Sequence, residues 1–370
     1  MKRVGFIINS RVPELASLRK GMPPHALLTG WDDAGSPMSF MRFRWVAETL
    51  RAAGSEWRYE LYRPGRTYAA VVFLKSMGPH CLAFAQRLRA AGSVVLFEAN
   101  VDYYTRYDGV ARLDVMVPTA SQRADAVAIT EFSDGVIGSS RHLAEVCREF
   151  NPAATWVPDN VDLRLRPAAV QREPMRDGRL QVWWSGMAAK LFEFLAAEEA
   201  FLALADRIHL QLVTDDVERA RLRWPVEVRE RFDRLLARVP HTLHRYRDIP
   251  HLLGLYAGGG VIVSPRFLDV PYNLSHTEWK ITLGMACDLP AIASPVPSYR
   301  DVAERACSDA VMIANSTEEW LGAFERFLTD DARCEAGKAA GEVVRIHYET
   351  AIVARQHATW VGDICARANQ

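Results

Sequence analysis

Short runs rich in Val, Ile, Phe and Trp recur along this chain, each followed by a longer stretch with apolar residues at helical spacing, and the whole alternation occurs twice. Such a pattern builds a parallel sheet with helices on its faces, because a parallel strand is reached only through a long crossover. In the first half, strands are expected at Val4–Ile8, Trp57–Leu61, Ala69–Leu74, Val94–Phe97, Gly135–Ile137 and Thr155–Val157, and helices at Phe40–Ala53, Pro79–Ala91, Ala120–Thr130 and Arg141–Phe150. Arg164–Arg179, rich in Arg and Pro and without apolar periodicity, reads as a linker. Beyond it, strands are expected at Leu180–Trp184, His209–Val213, His241–Tyr246, Val261–Ser264, Ala291–Ala293 and Ala310–Ile313. The intervening helices are expected at Lys190–Ala205, Glu218–Arg238, Ile249–Ala257, His276–Cys287, from Tyr299, at Glu318–Leu328 and at Ala332–Ile346.

The expected fold class is therefore α/β, with two Rossmann-like domains at residues 1–163 and 179–347 facing across a cleft. The linker is 164–178, and 348–370 form a C-terminal helix packing back on the first domain. That helix is expected to be amphipathic, with Ile352, Gln356, Thr359 and Ile364 around a Trp360 anchor. Two domains also suit 370 residues, more than one hydrophobic core usually organises. Open α/β sheets bind ligands beyond the carboxyl ends of their strands, so function is sought there. No GxGxxG follows the first strand, which leaves a plain dinucleotide-binding role without support.

Lys plus Arg and Asp plus Glu both number 45, so the overall field offers nucleic acid no special attraction. The six cysteines are widely separated, without metal-site or redox spacing, and read as reduced structural thiols; no metal is expected. Val4–Ile8 is too short for a signal-peptide core, and no apolar run approaches the ~20 residues that span a bilayer. A cytoplasmic protein is expected, with at most peripheral membrane contact.

Two stretches carry a resemblance. Asp134-Gly-Val-Ile-Gly-Ser-Ser-Arg-His-Leu followed by Thr155-Trp-Val-Pro-Asp-Asn-Val-Asp162, and Tyr256–Pro265 followed by Lys280-Ile-Thr-Leu-Gly-Met-Ala-Cys-Asp-Leu-Pro-Ala-Ile-Ala-Ser294, resemble segments of family 4 (group 1) glycosyltransferases. That resemblance implies the two-domain GT-B fold and transfer of a sugar from a nucleotide-diphosphate donor to a hydroxyl of a glycan or lipid-linked acceptor, as in polysaccharide biosynthesis. It further implies a donor held by the second domain, an acceptor held by the first, retention of anomeric configuration, and neither metal nor cofactor. One departure is clear: two glutamates eight positions apart, frequent in the family, are replaced here by Ser275 and Leu283.

On the donor side, Lys190 and Lys280 are the cations expected against the diphosphate, with Lys280 also stabilising the leaving group as the glycosidic bond breaks. Ser275, His276, Thr277 and Glu278 open the helix that carries Lys280; Ser275 and Glu278 equally read as a capping box. Asn273 is placed to reach sugar or phosphate. Arg245 and Tyr246, at a strand end, either enclose the base or lie on the surface. On the acceptor side Arg42 is expected to reach the cleft, and Tyr103 and Tyr104 form either a sugar-stacking platform or a packed surface. Glu98 and Asp102, just past a buried strand, are the catalytic carboxylates if a base is needed, or else turn formers. The rival readings are a sugar-nucleotide epimerase of the same fold and a degenerate, non-catalytic GT-B subunit that binds a partner.

Overall fold

Six parallel strands form the first sheet: β1 (Lys2–Ile8), β2 (Trp57–Leu61), β3 (Ala70–Leu74), β4 (Val94–Ala99), β5 (Gly135–Gly138) and β6 (Ala154–Trp156), in the order β2-β1-β3-β4-β5-β6. The structure is a computed structural model that describes residues 1–8, 40–109, 113, 116–167, 172–368 and 370. Ser36–Ser39, which lead into Arg42, lie outside the described residues. The chain divides into two units, the first comprising Met1–Tyr107, Val117–Asn160 and Glu349–Gln370, the second Asp108–Met116 and Val161–Tyr348.

In the first unit β3 and β4 are buried throughout, as strands covered on both faces must be. One face packs on the helices Pro79–Ala90 and Ala120–Phe132 through Phe73, Phe84, Val95, Phe97 and Ile129. The other receives the helices Trp45–Ala52 and Thr350–Ala368. The C-terminal helix thus packs on the first unit, as expected, but with a different stripe. Val353, Ala354, His357, Ala358, Val361, Ile364 and Cys365 are buried, whereas Gln356 and Thr359 are exposed and Trp360 and Ile352 are half-buried. Spacing alone permits several stripes. Ala354 and Ala358 let the helix axis approach the sheet, and His357 finds a buried partner there, which settles the choice.

The second sheet contains β7 (Met175–Arg176), β8 (Arg179–Ser185), β9 (Ile208–Thr214), β10 (His241–Arg245), β11 (Val261–Ser264), β12 (Ala291–Ala293) and β13 (Val311–Ile313). Its parallel order is β10-β9-β8-β11-β12-β13, with β7 antiparallel on β8. Asp177 and Gly178, both at positive φ, make the two-residue turn between β7 and β8, where an Asp-Gly pair is the favoured chemistry. Trp184, Phe194, Phe201, Trp320 and Phe324 centre the core beneath this sheet.

Three helices differ from expectation. The stretch 218–238 is two helices, Val217–Arg221 and Val226–Arg238, because Pro225 cannot donate to the preceding turn. Residues 188–197 form tight 3₁₀ turns before the helix Glu198–Ala203. The helix carrying Lys280 spans only Trp279–Met285, preceded by a separate turn of helix at Pro271–Leu274. Its N-cap is Glu278, whose side chain makes no cap bond, and the Ser275 hydroxyl donates to the Pro271 carbonyl at 3.3 Å.

Candidate active site

The strand order of the second sheet reverses between β8 and β11, so the chain leaves these neighbours in opposite directions and opens a crevice past their carboxyl ends. Charged side chains gather there. Beyond β8, the turn that opens Gly186-Met187 supplies Lys190 and Glu193; beyond β11, Arg266 follows two residues after Ser264; Lys280 comes from the helix behind. Arg266 and Glu193 form an ion pair with neither side chain exposed. Lys190 is 3% exposed, donates to His276 Nε2 at 2.6 Å and lies 4.1 Å from the Tyr272 ring centroid. The Nζ of Lys280 is enclosed without a hydrogen-bond partner, 4.5 Å from the centroid of the Trp184 ring.

This arrangement holds more positive than negative charge. Burial, then the charges of Lys190, Arg266 and Lys280, push His276 well below its ordinary range, so it is neutral and accepts from Lys190. Burial and the Arg266 charge depress Lys280 far below an ordinary lysine, Glu193 opposing and Lys190 adding to the effect. Burial would raise the Glu193 carboxyl, but Arg266, Lys190 and Lys280 outweigh it and hold it low. One carboxylate therefore faces Arg266 and two lysines. An enclosed cation lacking a partner is costly, and an anion entering here relieves that cost.

Gly186 allows the close approach. A Cβ at this position would lie 2.7 Å from Lys280 Nζ and 2.9 Å from the Trp184 ring. Gly186→Ala is expected to displace the ammonium and weaken anion affinity by about tenfold, the scale of one charge-assisted hydrogen bond. Titration calorimetry with inorganic pyrophosphate would read the change, and undiminished affinity would contradict it.

Beside this cluster, past the ends of β8, β9 and β10, lies a cavity of about 840 Å³ walled by Met187, Thr214, Asp215, Asp216, Leu243 and Tyr246, among others. Arg245 also lines it, so the two residues expected near the base share one cavity. Burial, with Asp248 adding, raises the Tyr246 phenol to about 12 and keeps it a neutral donor.

Of the other expected donor residues, Asn273 is fully buried and donates to the Phe267 carbonyl at 2.9 Å. Ser275 and Glu278 are each 1% exposed, and Thr277 is half-buried. Sequence reasoning passed over Arg266, Glu193, Gly186 and Trp184. A signal for one was present: Glu193 is the lone charge in Leu191-Phe-Glu-Phe-Leu195, an apolar run that buries it.

In the first unit the candidates face inward. Glu98 is unexposed, one oxygen 2.7 Å from His357 Nε2 and the other 3.4 Å from Arg42 Nε. Burial alone would raise its carboxyl, but the Arg42 charge and the His357 hydrogen bond hold it low. Arg42, 2% exposed, also donates to the carbonyls of Val157 and Pro158 at 2.9 Å and pairs with Asp159 at 3.2 Å. Asn160 completes this hub, donating to the Met41 carbonyl and accepting from Thr350. The Val-Pro-Asp-Asn stretch is thereby tied to both β4 and the C-terminal helix. Asp102 accepts from the Tyr104 and Thr105 backbone N–H groups, the turn-forming alternative. Tyr104 is a core residue, bonded to Thr130 and stacked on Phe150, which corrects its expected place in a sugar platform; Tyr103 is half-buried. Glu98 turns inward because β4 alternates: Val95, Phe97 and Ala99 take one face, leaving Glu98 under the C-terminal helix with Val94 and Leu96.

Among the described residues no group of three or more His, Cys, Asp or Glu is placed to hold a metal ion, and no helix is long and apolar enough to cross a membrane. The sequence matches no protein-family model and no curated protein. Solved structures do match. Sucrose-phosphate synthase from Thermosynechococcus elongatus aligns over 99% of this chain and 100% of its own at a TM-score of 0.64 and 15% identity. A glycosyltransferase from Rickettsia africae aligns over 98% of both chains at 0.63 and 12% identity. Anabaena HepE in complex with UDP aligns over 98% of this chain and 100% of its own at 0.61 and 12% identity. At such identities the likeness is one of fold, and that fold is GT-B: two sheets, of six and seven strands, parallel except for β7, flanked by helices.

Proposed function

We propose that this GT-B chain is a glycosyltransferase that takes its sugar from a nucleoside-diphosphate donor held by the second unit. The observation that carries the reading is the enclosed, unpartnered ammonium of Lys280 beside Lys190 and Arg266 at the β8/β11 crevice. A diphosphate supplies the missing negative charge. As the bond from the sugar C1 to the diphosphate oxygen breaks, charge grows on that oxygen, and cations already in place stabilise it without reorganisation. The HepE complexes with UDP and with UDP-glucose agree with such a donor. A degenerate subunit would have no reason to keep an enclosed, unpaired cation.

The acceptor is a hydroxyl of a glycan or lipid-linked sugar, taken by the first unit with Tyr103 as its accessible aromatic, and no metal takes part. Retention fits the carboxylates. Glu98 and Asp102 are committed to internal hydrogen bonds, so the leaving diphosphate is the group that accepts the acceptor's proton as the new C1–O bond forms. The test is incubation with labelled nucleotide-sugars and a panel of glycan and lipid-linked acceptors, with the product's anomeric configuration read by NMR. Retained product is expected; inverted product overturns the stereochemistry, and the absence of both nucleoside-diphosphate binding and turnover overturns the transferase.

A further inference from the structure

The cavity beside the cation cluster has features that a diphosphate site does not require. Met187 and Leu243, 52% and 49% exposed, are two of the few large apolar side chains that the described residues leave in solvent, and both line it. Apolar surface inside a concave site suits a flat ring. Tyr246 adds an aromatic wall. The cavity also adjoins the cluster through a single turn, since Met187 and Ala189 line it while the next residue, Lys190, reaches His276. Two carboxylates stand at its polar side. Asp215 is pinned by the Ala188 N–H, which donates to its Oδ1 at 2.6 Å, and Asp216 by the Arg219 N–H, which donates to its Oδ1 at 3.0 Å. In both, the second oxygen accepts from no described protein donor.

We propose that this cavity is the nucleobase site and that it selects guanine, so that the donor is a guanosine-diphosphate sugar whose N1–H and N2–H donate to the Asp215 and Asp216 carboxylates. The inference rests on the diphosphate reading above. Guanine alone presents two adjacent donors on its Watson–Crick edge. Uracil offers one N–H flanked by two carbonyl oxygens, and adenine offers a ring nitrogen beside its amine, so carboxylates repel the acceptors of both. Arg245, lining the same cavity, supplies the donor that the guanine O6 and N7 acceptors require.

The test is titration calorimetry with GDP, IDP, UDP and ADP on the whole chain, and on Asp215→Asn and Asp216→Asn, each of which keeps the oxygen that accepts the backbone N–H. GDP is expected to bind about tenfold or more tighter than UDP or ADP, the scale of one hydrogen bond to a charged group. IDP, which lacks the 2-amino group, is expected to fall about tenfold below GDP, and Asp215→Asn to erase most of the GDP preference. The GDP and IDP comparison needs no variant. UDP or ADP binding as tightly as GDP, or IDP matching GDP, overturns the guanine assignment and leaves the diphosphate site standing. Absence of binding by all four overturns both.

Discussion

Lys280→Met is expected to make the ligand-free protein more stable and, at the same time, nearly blind to nucleoside diphosphates. The side chain lies against Trp184 with its Nζ enclosed, unpartnered, and opposed by Arg266 and Lys190. An apolar side chain of similar length is expected to stabilise by about 1–4 kcal/mol, the range found when buried ion pairs are replaced by apolar residues. Binding moves the other way. With ligand a hundredfold above its dissociation constant the wild type gains about 2.7 kcal/mol; if the variant binds a hundredfold more weakly, it gains only about 0.4 kcal/mol. Thermal unfolding with and without nucleotide measures both. A merely structural lysine would lose stability on substitution, so a lower ligand-free melting temperature would count against the site.

The same lysine sets a pH dependence. Its folded value lies below 10.5, so between that value and 10.5 the unfolded chain holds more protons and this group makes stability rise with pH. His276, depressed below 6.5, acts in the same direction at lower pH. The advantage of Lys280→Met is therefore greatest at low pH, where the wild-type side chain is charged, and shrinks as pH rises through the folded value. A bound diphosphate raises the Lys280 value again, so binding takes up a proton in that window. Calorimetry in buffers of different ionisation enthalpy would register it.

Glu98→Ala is expected to cost about 3–5 kcal/mol, because it leaves the buried Arg42 short of a counter-ion and His357 short of a partner. Glu98→Gln keeps both contacts as hydrogen bonds and is expected to cost less. The carboxyl is held below its ordinary 4.5, so its stabilisation is complete above that pH and is lost as pH falls through the folded value. Denaturant midpoints should fall steeply with acidification in the wild type and more gently in Glu98→Ala. If instead the variant folded as stably as wild type but lost turnover, Glu98 would be a catalytic base after all.

Much of the fold was legible because parallel-strand signals are local. The runs at 70–74, 94–99 and 208–214 bury nearly every residue, and their short length and Val- and Leu-rich composition between helical stretches mark buried parallel strands. The helix breaks were less legible. Pro225 ends a pattern whose apolar spacing continues past it, and only the packing of Phe232 and Leu235 fixes where the second helix lies. At the site, Lys280 stood out as the lone cation in an apolar turn and Lys190 through the family resemblance, whereas nothing near Arg266 in sequence announces Glu193, 73 residues away.

From its own residues the chain dictated two alternating α/β units, the strands that carry each sheet and the final helix, since propensity and periodicity act over a few turns of chain. Which face of that helix is buried, that Glu98 holds Arg42 and His357 rather than facing a substrate, and that one carboxylate stands among three cations at the β8/β11 crevice were set by strand order and helix docking. Those juxtapositions join residues 56 to 259 positions apart. They exist only once crossovers have brought strand ends together and burial has removed the water that would otherwise screen each charge.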